Sequence, residues 1–299
     1  MKEWNVRRGQ RLSVEEGQRI GGGAASWVYA LDNGDIVKVL KHGTPEEAER
    51  EILLSKWAFL KGIPTAISYD VADVDGHQGL VYEFLGRENL RNAFRDRPES
   101  FDELMDAYLT LLHTVNGTTD DEAYLPAAIE QYRVALDRLS DLLTAEEIAK
   151  TRSLLETVPD SDTIIHGDCQ IKNVRVVNGK LFLIDLDTLS RGDPIFELAA
   201  LFCCYRCYPA LSEESHDSFF DISSATIAKI LDGILEGYYP GLPDETREEN
   251  TRKIALLGWL ITAGYVRHDT PDDTASLQLL LNRFRETLAL VDDLRLKHA

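Results

Sequence analysis

The sequence predicts an α+β protein in which a small antiparallel sheet with one main helix precedes a larger, mostly helical region. Short β-rich runs separated by turn signals fill residues 17–86, with one helical stretch between them. Beyond residue 86 the apolar residues recur mainly at helical spacing. We therefore predict an N-terminal lobe of residues 1–86 and a C-terminal helical lobe of residues 87–299.

Composition and charge limit the classes of partner. The chain of 299 residues is 44% hydrophobic and 28% charged, as in ordinary globular proteins. Its net charge of −19 argues against a nucleic-acid partner, which calls for a basic patch. The same charge is compatible with a cationic substrate, although solubility alone explains it equally well.

The sequence shows no sign of export or membrane insertion. The first residues contain no apolar core of a signal peptide, and no apolar run approaches the ~18 residues of a membrane span. We expect a cytoplasmic protein without a membrane partner. Of the four cysteines, Cys203, Cys204 and Cys207 fall within one apolar segment. We expect a buried thiol cluster on a helix there, with a metal or redox role as the alternative.

A glycine-rich turn joins the first two predicted strands of residues 17–40. Gly21, Gly23 and Ser26 form a G-x-G-x-x-S pattern at the turn between these two strands. Glycines in such a turn let the backbone approach nucleotide phosphates without interference from a Cβ atom. The Ser26 hydroxyl could bind a phosphate oxygen. Because many hairpins contain glycines, this pattern carries weight only with the features that follow.

Lys38 lies in the third predicted strand, Asp35–Leu40, between apolar neighbours. A solvated surface lysine is the ordinary interpretation. A lysine in the strand after a glycine-rich hairpin is, however, where kinases bind the α- and β-phosphates. Its carboxylate partner should come from the next helix, where Glu47 and Glu51 are one turn apart. We favour Glu51, which directly precedes the apolar run.

The stretch from residue 163 to 199 carries the strongest signal. Three short apolar runs, Thr163–Ile165, Val174–Val177 and Leu181–Ile184, predict strands, and Asn178-Gly179 predicts a hairpin turn. Polar residues stand at the strand ends, where a sheet directs them to one place: His166, Asp168, Asn173, Asp185 and Asp187.

Phosphoryl transfer from a nucleotide requires this set of groups. A carboxylate must orient the acceptor hydroxyl and accept its proton, and Mg²⁺ needs hard oxygen ligands. Asp168 lies five residues before Asn173, and Asp185 follows one hairpin later, which is the order in kinases. We predict Asp168 as the base and Asn173 and Asp185 as metal ligands. The alternative is a hairpin whose Asp and Asn residues only shape turns.

The motif His166-Gly167-Asp168 with Asn173 and Asp185, followed by Gly192–Ala199, resembles aminoglycoside phosphotransferases and choline-kinase-like enzymes. The resemblance implies a bilobal protein-kinase-like fold. It also implies Mg²⁺-dependent transfer of the γ-phosphate of ATP or GTP to a hydroxyl of a small molecule, such as an aminoglycoside or another amine-bearing polyol. Backbone groups near Glu83, Phe84 and Leu85 would hold the nucleotide base. Two departures, Gln170 for histidine and Glu197 for aspartate, remove no catalytic group.

Two rival functions are a protein kinase and a catalytically silent pseudokinase. Protein kinases carry a lysine where this chain has Gln170, and the segment Leu186–Asp193 is too short for an activation segment. A pseudokinase would lack a base, a metal ligand or the lysine, and all of these are present. The acceptor site has no readable motif. Its acidic candidates, most of them expected to be solvated, are Glu213, Glu214, Asp217, Asp221, Asp269, Asp272 and Asp273.

Seven helices are predicted after residue 86, and they would frame the acceptor pocket. They are about Phe101–Asn116, Ala127–Leu143, Ala145–Thr157, Pro194–Tyr208, Ala225–Gly237, Glu245–Arg267 and Ala275–Lys297.

Overall fold

A computed structural model describes residues 10–15, 18–23, 25–211 and 219–298 of the chain. The contacts divide it into two units. The first contains the described residues up to Asn89 together with Asn173–Asp187, and the second contains Leu90–Lys172 and the described residues from Thr188 onward. The first carries a six-stranded sheet and the second is mostly helical. The predicted α+β class is confirmed, whereas the boundary near residue 86 stays a prediction.

The sheet of the first unit is mixed rather than wholly antiparallel. Its spatial order is β1-β5-β6-β4-β3-β2, with β1 parallel to β5 and every other neighbouring pair antiparallel. The prediction missed β1 because three residues are too few to show an alternating pattern. The strands are β1 (Gln10–Leu12), β2 (Arg19–Gly22), β3 (Ser26–Ala30), β4 (Ile36–Leu40), β5 (Ser68–Val74) and β6 (His77–Tyr82).

Helix α1 (Pro45–Leu60) covers one face of this sheet. Thr44 and Glu47 form a capping box that starts the helix. The helix buries Ala48 and Ile52 against strand residues, and Leu40 packs at the edge of that cluster. Side chains alternate between the two faces of a strand, so Lys38 lies on the same face of β4 as Leu40. Strand β4 therefore directs Lys38 towards α1.

The hairpin of β8 (Val174–Val177) and β9 (Lys180–Leu183) completes the first unit. Asn178 and Gly179 have φ angles of 50° and 76°, the left-handed backbone that a two-residue hairpin turn requires. Asparagine and glycine tolerate that backbone better than other residues, which explains why the pair is a reliable turn signal.

Backbone hydrogen bonds fasten this hairpin to the rest of the first unit. The Leu183 amide donates to the Pro64 carbonyl at 2.8 Å, and the Val176 amide donates to the Glu88 carbonyl at 3.1 Å. Because the hairpin is anchored on both strands, the residues at its two ends have fixed positions within the first unit.

Nine helices and a short β-ladder make up the described part of the second unit. The long helix α9 lies at its centre, since residues 253–264 are buried on every side. It packs against α4, α6 and α10. The elements are α2 (Leu90–Asp96), α3 (Phe101–Asn116), α4 (Ile129–Arg138), α5 (Ala145–Leu155), β7 (Ile164–Ile165), β10 (Ser190–Arg191), α6 (Ile195–Phe202), α7 (Tyr208–Leu211), α8 (Ser224–Gly237), α9 (Asp244–Asp269) and α10 (Thr274–Leu288).

Two helix predictions were too long. Helix α10 ends at Leu288 rather than near Lys297, because the following chain bonds to α9 instead of to itself: Asn250 exchanges two hydrogen bonds with the Lys297 backbone. The helix predicted up to Leu143 ends at Arg138, where Ser140 Oγ donates to the Asp137 carbonyl. Side-chain bonds to the local backbone compete with helix continuation.

The helix predicted for residues 194–208 contains an irregularity. Regular α-helix gives way to a π-helix over Cys203–Cys207 before α7 begins. Such widened turns are frequent at functional sites. Among all the described residues, no helix is long and apolar enough to cross a membrane.

Candidate active site

The glycine-rich turn connects β2 to β3, and Gly22 is the residue that shapes it. Gly22 has a φ of 146°, and a Cβ atom there would lie 2.8 Å from the Ser26 carbonyl oxygen. The Gly23 amide donates to the same carbonyl at 2.9 Å. Gly21 lies within β2, and the side chain of Ser26 is buried at the start of β3. The sequence argument named Gly21 and Gly23 but missed Gly22, whose need for glycine is steric.

Lys38 lies between two carboxylates of the first unit. Its Nζ donates to Glu51 Oε1 at 2.9 Å and to Asp185 Oδ1 at 2.6 Å. Glu51 also accepts a hydrogen bond from the Tyr82 hydroxyl at 3.1 Å. Glu47, the other candidate partner, accepts from the Thr44 amide in the capping box instead. Strand β4, helix α1 and the β8–β9 hairpin thus bring Lys38, Glu51 and Asp185 together.

The electrostatics of this trio keep the lysine charged. Burial opposes the charge of Lys38, but Asp185 and Glu51 outweigh that effect and raise its pKa. Burial also raises the pKa of the Glu51 carboxyl, and the Lys38 ammonium partly offsets this. The Lys38 and Glu51 side chains are only 15% and 12% exposed, whereas that of Asp185 is 43% exposed. Asp185 is therefore the member of the trio most accessible to a ligand.

Asn173 and Asp185 stand at the two ends of the β8–β9 hairpin. The Ile184 amide, next to Asp185, donates to the Asn173 carbonyl at 2.9 Å, which holds the two ends side by side. Asp185 has a φ of 59°, a left-handed conformation that is strained for most side chains. Such strain occurs where the surrounding structure fixes a residue in place.

Glu83, Phe84 and Leu85, which are predicted to contact the nucleotide base, come immediately after β6. The Glu83 amide donates to the Ile67 carbonyl at 2.9 Å, and the Glu83 carboxylate accepts from the Ile67 amide at 3.3 Å. Glu83 is thereby tied to the chain just before β5. Phe84 is partly exposed and Leu85 is buried. Gly86, with a φ of 84°, then turns the chain.

Asp168 belongs to the second unit, in a loop that follows β7. The preceding Gly167 has a φ of 80°, and a Cβ atom there would lie 3.2 Å from the Thr188 carbonyl oxygen. His166 is fully buried, and its Nδ1 accepts a hydrogen bond from the Asp168 amide at 3.2 Å. The Thr188 hydroxyl donates to the His166 carbonyl at 2.7 Å. These bonds fix the backbone that carries Asp168.

Glu197 on α6 binds the backbone of the loop that carries Asp168. Its buried carboxylate accepts hydrogen bonds from the amides of His166 and Gly167. Burial raises the pKa of Glu197 to about 7, while the two amide bonds and Asn116 act to lower it and Asp168 adds to the rise. A glutamate thus fills the position where the resemblance leads us to expect aspartate.

Two buried tyrosines support the far side of the loop. The Tyr108 hydroxyl donates to the Cys169 carbonyl, and the Tyr205 hydroxyl accepts from the Ile171 amide at 2.9 Å. The two hydroxyls are 3.1 Å apart. Tyr205 belongs to the π-helix. Sequence reasoning missed both tyrosines, because an aromatic residue within an apolar helix gives no sign that its hydroxyl meets a distant loop.

The remaining sequence candidates have ordinary surroundings. Asp221 pairs with Arg91 and Arg95, and Asp273 caps α10. Asp269 and Asp272 are exposed, whereas Glu213, Glu214 and Asp217 lie outside the described residues. Cys203 and Cys207 are buried and Cys204 is half-buried, and all three thiols are free. Burial raises the pKa of each thiol, which makes them poor nucleophiles.

Solved structures of low sequence identity share this fold. Aminoglycoside phosphotransferase APH(4)-Ia, in a complex with ADP and hygromycin B, superposes with a TM-score of 0.59 at 12% identity, covering 91% of this chain and 92% of that one. ADP-bound aminoglycoside phosphotransferase APH(2'')-Ib gives a TM-score of 0.55 at 16% identity, covering 91% and 93%. A choline/ethanolamine kinase family protein from Mesorhizobium loti gives 0.54 at 17% identity, covering 91% and 86%.

The sequence itself decides the family. No curated protein matches it significantly. The model of the phosphotransferase enzyme family, APH, matches residues 16–248, which is most of the chain. The predicted family and enzyme class are thereby confirmed, and this protein belongs to the phosphotransferase enzyme family.

Proposed function

We propose that this protein transfers the γ-phosphate of ATP or GTP to a hydroxyl group of a small molecule, with Asp168 as the residue that receives the hydroxyl proton. The observation that carries the proposal is the bonding of Lys38 to both Glu51 and Asp185. A buried ammonium between two carboxylates is costly to build for stability alone. It is, however, the arrangement that phosphate binding beside a metal requires.

The nucleotide-binding groups all come from the first unit. The glycines of the turn between β2 and β3 let the phosphates approach the backbone, and Lys38 adds a fixed positive charge that Glu51 orients. Backbone groups near Glu83, Phe84 and Leu85 hold the base. Among the similar structures, two contain ADP and another is a GDP complex, so both nucleotides belong in a test.

The oxygen donors at the ends of the β8–β9 hairpin fit Mg²⁺. Asp185 supplies a carboxylate and Asn173 an amide oxygen, which are hard ligands of the kind this ion prefers. The described residues contain no group of three or more metal-binding side chains. Magnesium sites in kinases need only one or two protein ligands, because the phosphates and water supply the rest. When bound, the ion would neutralise charge on the phosphates, and Lys38 would add a positive charge for their oxygens.

The acceptor chemistry is proposed for the second unit. The half-buried Asp168 orients the acceptor hydroxyl and takes its proton, while Glu197, Thr188 and Tyr205 hold the loop. The sequence suggested an amine-bearing polyol as acceptor. The hygromycin B complex of a similar structure supports including aminoglycosides in an acceptor screen.

Replacing Asp168 tests the proposal most directly. In Asp168→Asn we expect nucleotide affinity and melting temperature to stay within error of wild type, and turnover to fall by about 10²–10⁴-fold, the usual contribution of a general base. The measurements are nucleotide titration, thermal melting and diphosphate release on one preparation. The exposed Asp160→Asn, in the loop before β7, serves as the matched control.

The result can also contradict the assignment. If Asp168 only shapes a turn, the variant will melt earlier and its folded fraction will turn over at nearly the normal rate. Turnover within a few-fold of wild type would remove Asp168 from the chemistry. A silent pseudokinase would show no diphosphate release in the wild type with any acceptor.

A further inference from the structure

The second unit contains a cavity of about 230 Å³, and Asp168 forms part of its wall. The other walls come from α4, α6, the π-helix and α9. Ligand pockets of drug-sized molecules are usually about 300–1,000 Å³, so this cavity fits a compact molecule. If Asp168 acts on the acceptor, the acceptor should bind in this cavity. The residues that line the cavity then indicate the chemical class of the acceptor.

Charge is the first property of the walls. Among the described residues that line the cavity, Asp168 is the only one with a carboxyl group, and none has an ammonium or guanidinium group. An ammonium group buried without a carboxylate partner is strongly unfavourable. A polyamine would bring several ammonium groups into the cavity. Its one carboxyl group, that of Asp168, would already be bound to the acceptor hydroxyl.

Apolar surface is the second property. The rings of Tyr132 and Phe196 pack together with centroids 4.9 Å apart and are 4% and 3% exposed, which makes a rigid floor. Ile261, Tyr208 and Cys203 continue the apolar surface. Aromatic and aliphatic walls of this kind bind by burying apolar area of the ligand.

Besides Asp168 and the tyrosine hydroxyls, the polar side chains of the lining are those of Gln131, Thr188 and Ser190. Gln131 lies at the exposed edge, where its carbonyl oxygen accepts from the Tyr265 hydroxyl at 3.4 Å. Thr188 donates its hydroxyl to the His166 carbonyl and is thereby committed to the loop. A ligand with a hydroxyl at each carbon would find too few partners in such walls, and unpaired polar groups weaken binding.

We propose that the acceptor is a compact, uncharged alcohol whose hydroxyl reaches Asp168 and whose apolar or aromatic body fills this cavity. The inference rests on the proposed function and narrows its substrate class. It selects against aminoglycosides and against small quaternary ammonium alcohols, although aromatic walls can attract such cations. A direct comparison of charge at constant shape therefore decides it.

Choline and its carbon isostere neohexanol provide that comparison, because they differ only in the charged nitrogen. Binding of each, and of phenylethanol and hygromycin B, is measured by calorimetry on the full chain with ADP and Mg²⁺ present. We expect neohexanol and phenylethanol to bind at least tenfold more tightly than choline or hygromycin B. The inference is overturned if either cation binds as tightly as the alcohols, or if no neutral alcohol binds.

A charge added to the lining of the cavity tests whether the acceptor binds there. Gln131→Glu adds one carboxylate at the rim without changing the side-chain shape. We expect the choline-to-neohexanol affinity ratio to rise by roughly two- to fivefold, the range of an exposed ion pair. The matched control Gln278→Glu adds the same charge on the exposed face of α10 and should leave the ratio unchanged. An equal ratio in wild type and both variants places the ligand elsewhere and overturns the inference.

Diphosphate release separates this inference from the proposed function. Transfer to choline or hygromycin B at a higher kcat/KM than to the neutral alcohols would keep the phosphotransferase and discard the uncharged acceptor. Tight binding of the alcohols with the expected Gln131→Glu response, but no transfer to any acceptor, would keep the cavity assignment and discard the catalytic role of Asp168.

Discussion

Lys38 shows at the scale of one residue how strand geometry and charge act together. Alternation along β4 directs it to the face covered by α1, and the anchored β8–β9 hairpin brings Asp185 to within 2.6 Å of its Nζ. One ammonium therefore lies between two carboxylates and reduces the repulsion between them. A nucleotide phosphate would have to share the Lys38 ammonium with Asp185. Nucleotide binding would therefore weaken the Lys38–Asp185 ion pair.

Lys38→Ala should weaken nucleotide binding and slow transfer while the fold persists. The change removes the positive charge meant for the phosphates and leaves Glu51 and Asp185 without their cation. We expect nucleotide affinity to fall at least tenfold, measured by titration with ADP and Mg²⁺. Lys56→Ala on α1, which removes the 3.8 Å pair with Asp70 of β5, is the control. Unchanged affinity in Lys38→Ala would exclude Lys38 from the phosphate site.

Glu197 predicts a pH dependence of stability with a definite sign. Its pKa is raised from 4.5 to about 7 in the folded chain, so the folded state retains a proton that the unfolded state releases. Its contribution to stability is therefore complete below pH 4.5 and is lost as the pH rises to about 7. At about 1.36 kcal/mol per pKa unit the loss is about 3 kcal/mol.

The measurement is the free energy of unfolding by denaturant at several pH values, for wild type and Glu197→Gln. Because the amide does not titrate, wild type should lose about 3 kcal/mol relative to the variant between pH 4.5 and 7. The exposed Glu156→Gln is the control for removing a carboxylate. Parallel curves for wild type and Glu197→Gln would show that Glu197 ionises normally in the folded protein.

A residue's role could be predicted when the sequence pattern that indicates it lies close by in the chain. Asp168, Asn173 and Asp185 could be proposed from the sequence because their turns and spacing lie within about twenty residues. The choice between Glu47 and Glu51 also had a local signal, since Thr44 followed by Glu47 is a capping box and commits Glu47 to the helix start. Gly22 and the Tyr108–Tyr205 pair depend on contacts with distant atoms, and a single sequence contains no sign of those.

At the scale of elements, two helices begin with the same device. Thr44 and Glu47 start α1 in the first unit, and Thr144 and Glu147 start α5 in the second, each as a capping box. The first residues of both helices were predictable for this reason. The π-helix was not, because one extra residue in a helical turn is decided by the packing of Tyr205 and the cysteines rather than by propensity.

The paired caps give a matched experiment. Thr44→Ala and Thr144→Ala should each destabilise the protein by about 1 kcal/mol, the usual loss of an N-cap. Only Thr44→Ala should also raise the KM for nucleotide, because α1 carries Glu51 and α5 carries no proposed site residue. Thermal melting and nucleotide kinetics on both variants check this. Equal KM values would show that the start of α1 does not position Glu51.

At the scale of the whole molecule, the net charge of −19 acts on the folded state through self-repulsion. Raising the ionic strength from about 0.01 M to about 0.15 M shortens the Debye length from ~30 Å to ~8 Å. We expect the melting temperature to rise over this range and the KM for an uncharged acceptor to stay constant. A KM that climbs several-fold with salt would instead indicate the cationic acceptor that the sequence first suggested.

The route of the chain through its two units has a consequence for synthesis. The first unit starts within the first 89 residues and receives Asn173–Asp187 only after about 80 intervening residues, Leu90–Lys172, have been made. At roughly 5–20 residues per second, a ribosome needs about 4 to 17 s to add those residues. Throughout that interval the nascent sheet carries Lys38 and Glu51 without Asp185. A truncated chain that stops before residue 173 would for the same reason hold a lysine and a single carboxylate, but neither end of the hairpin that bears the proposed metal ligands.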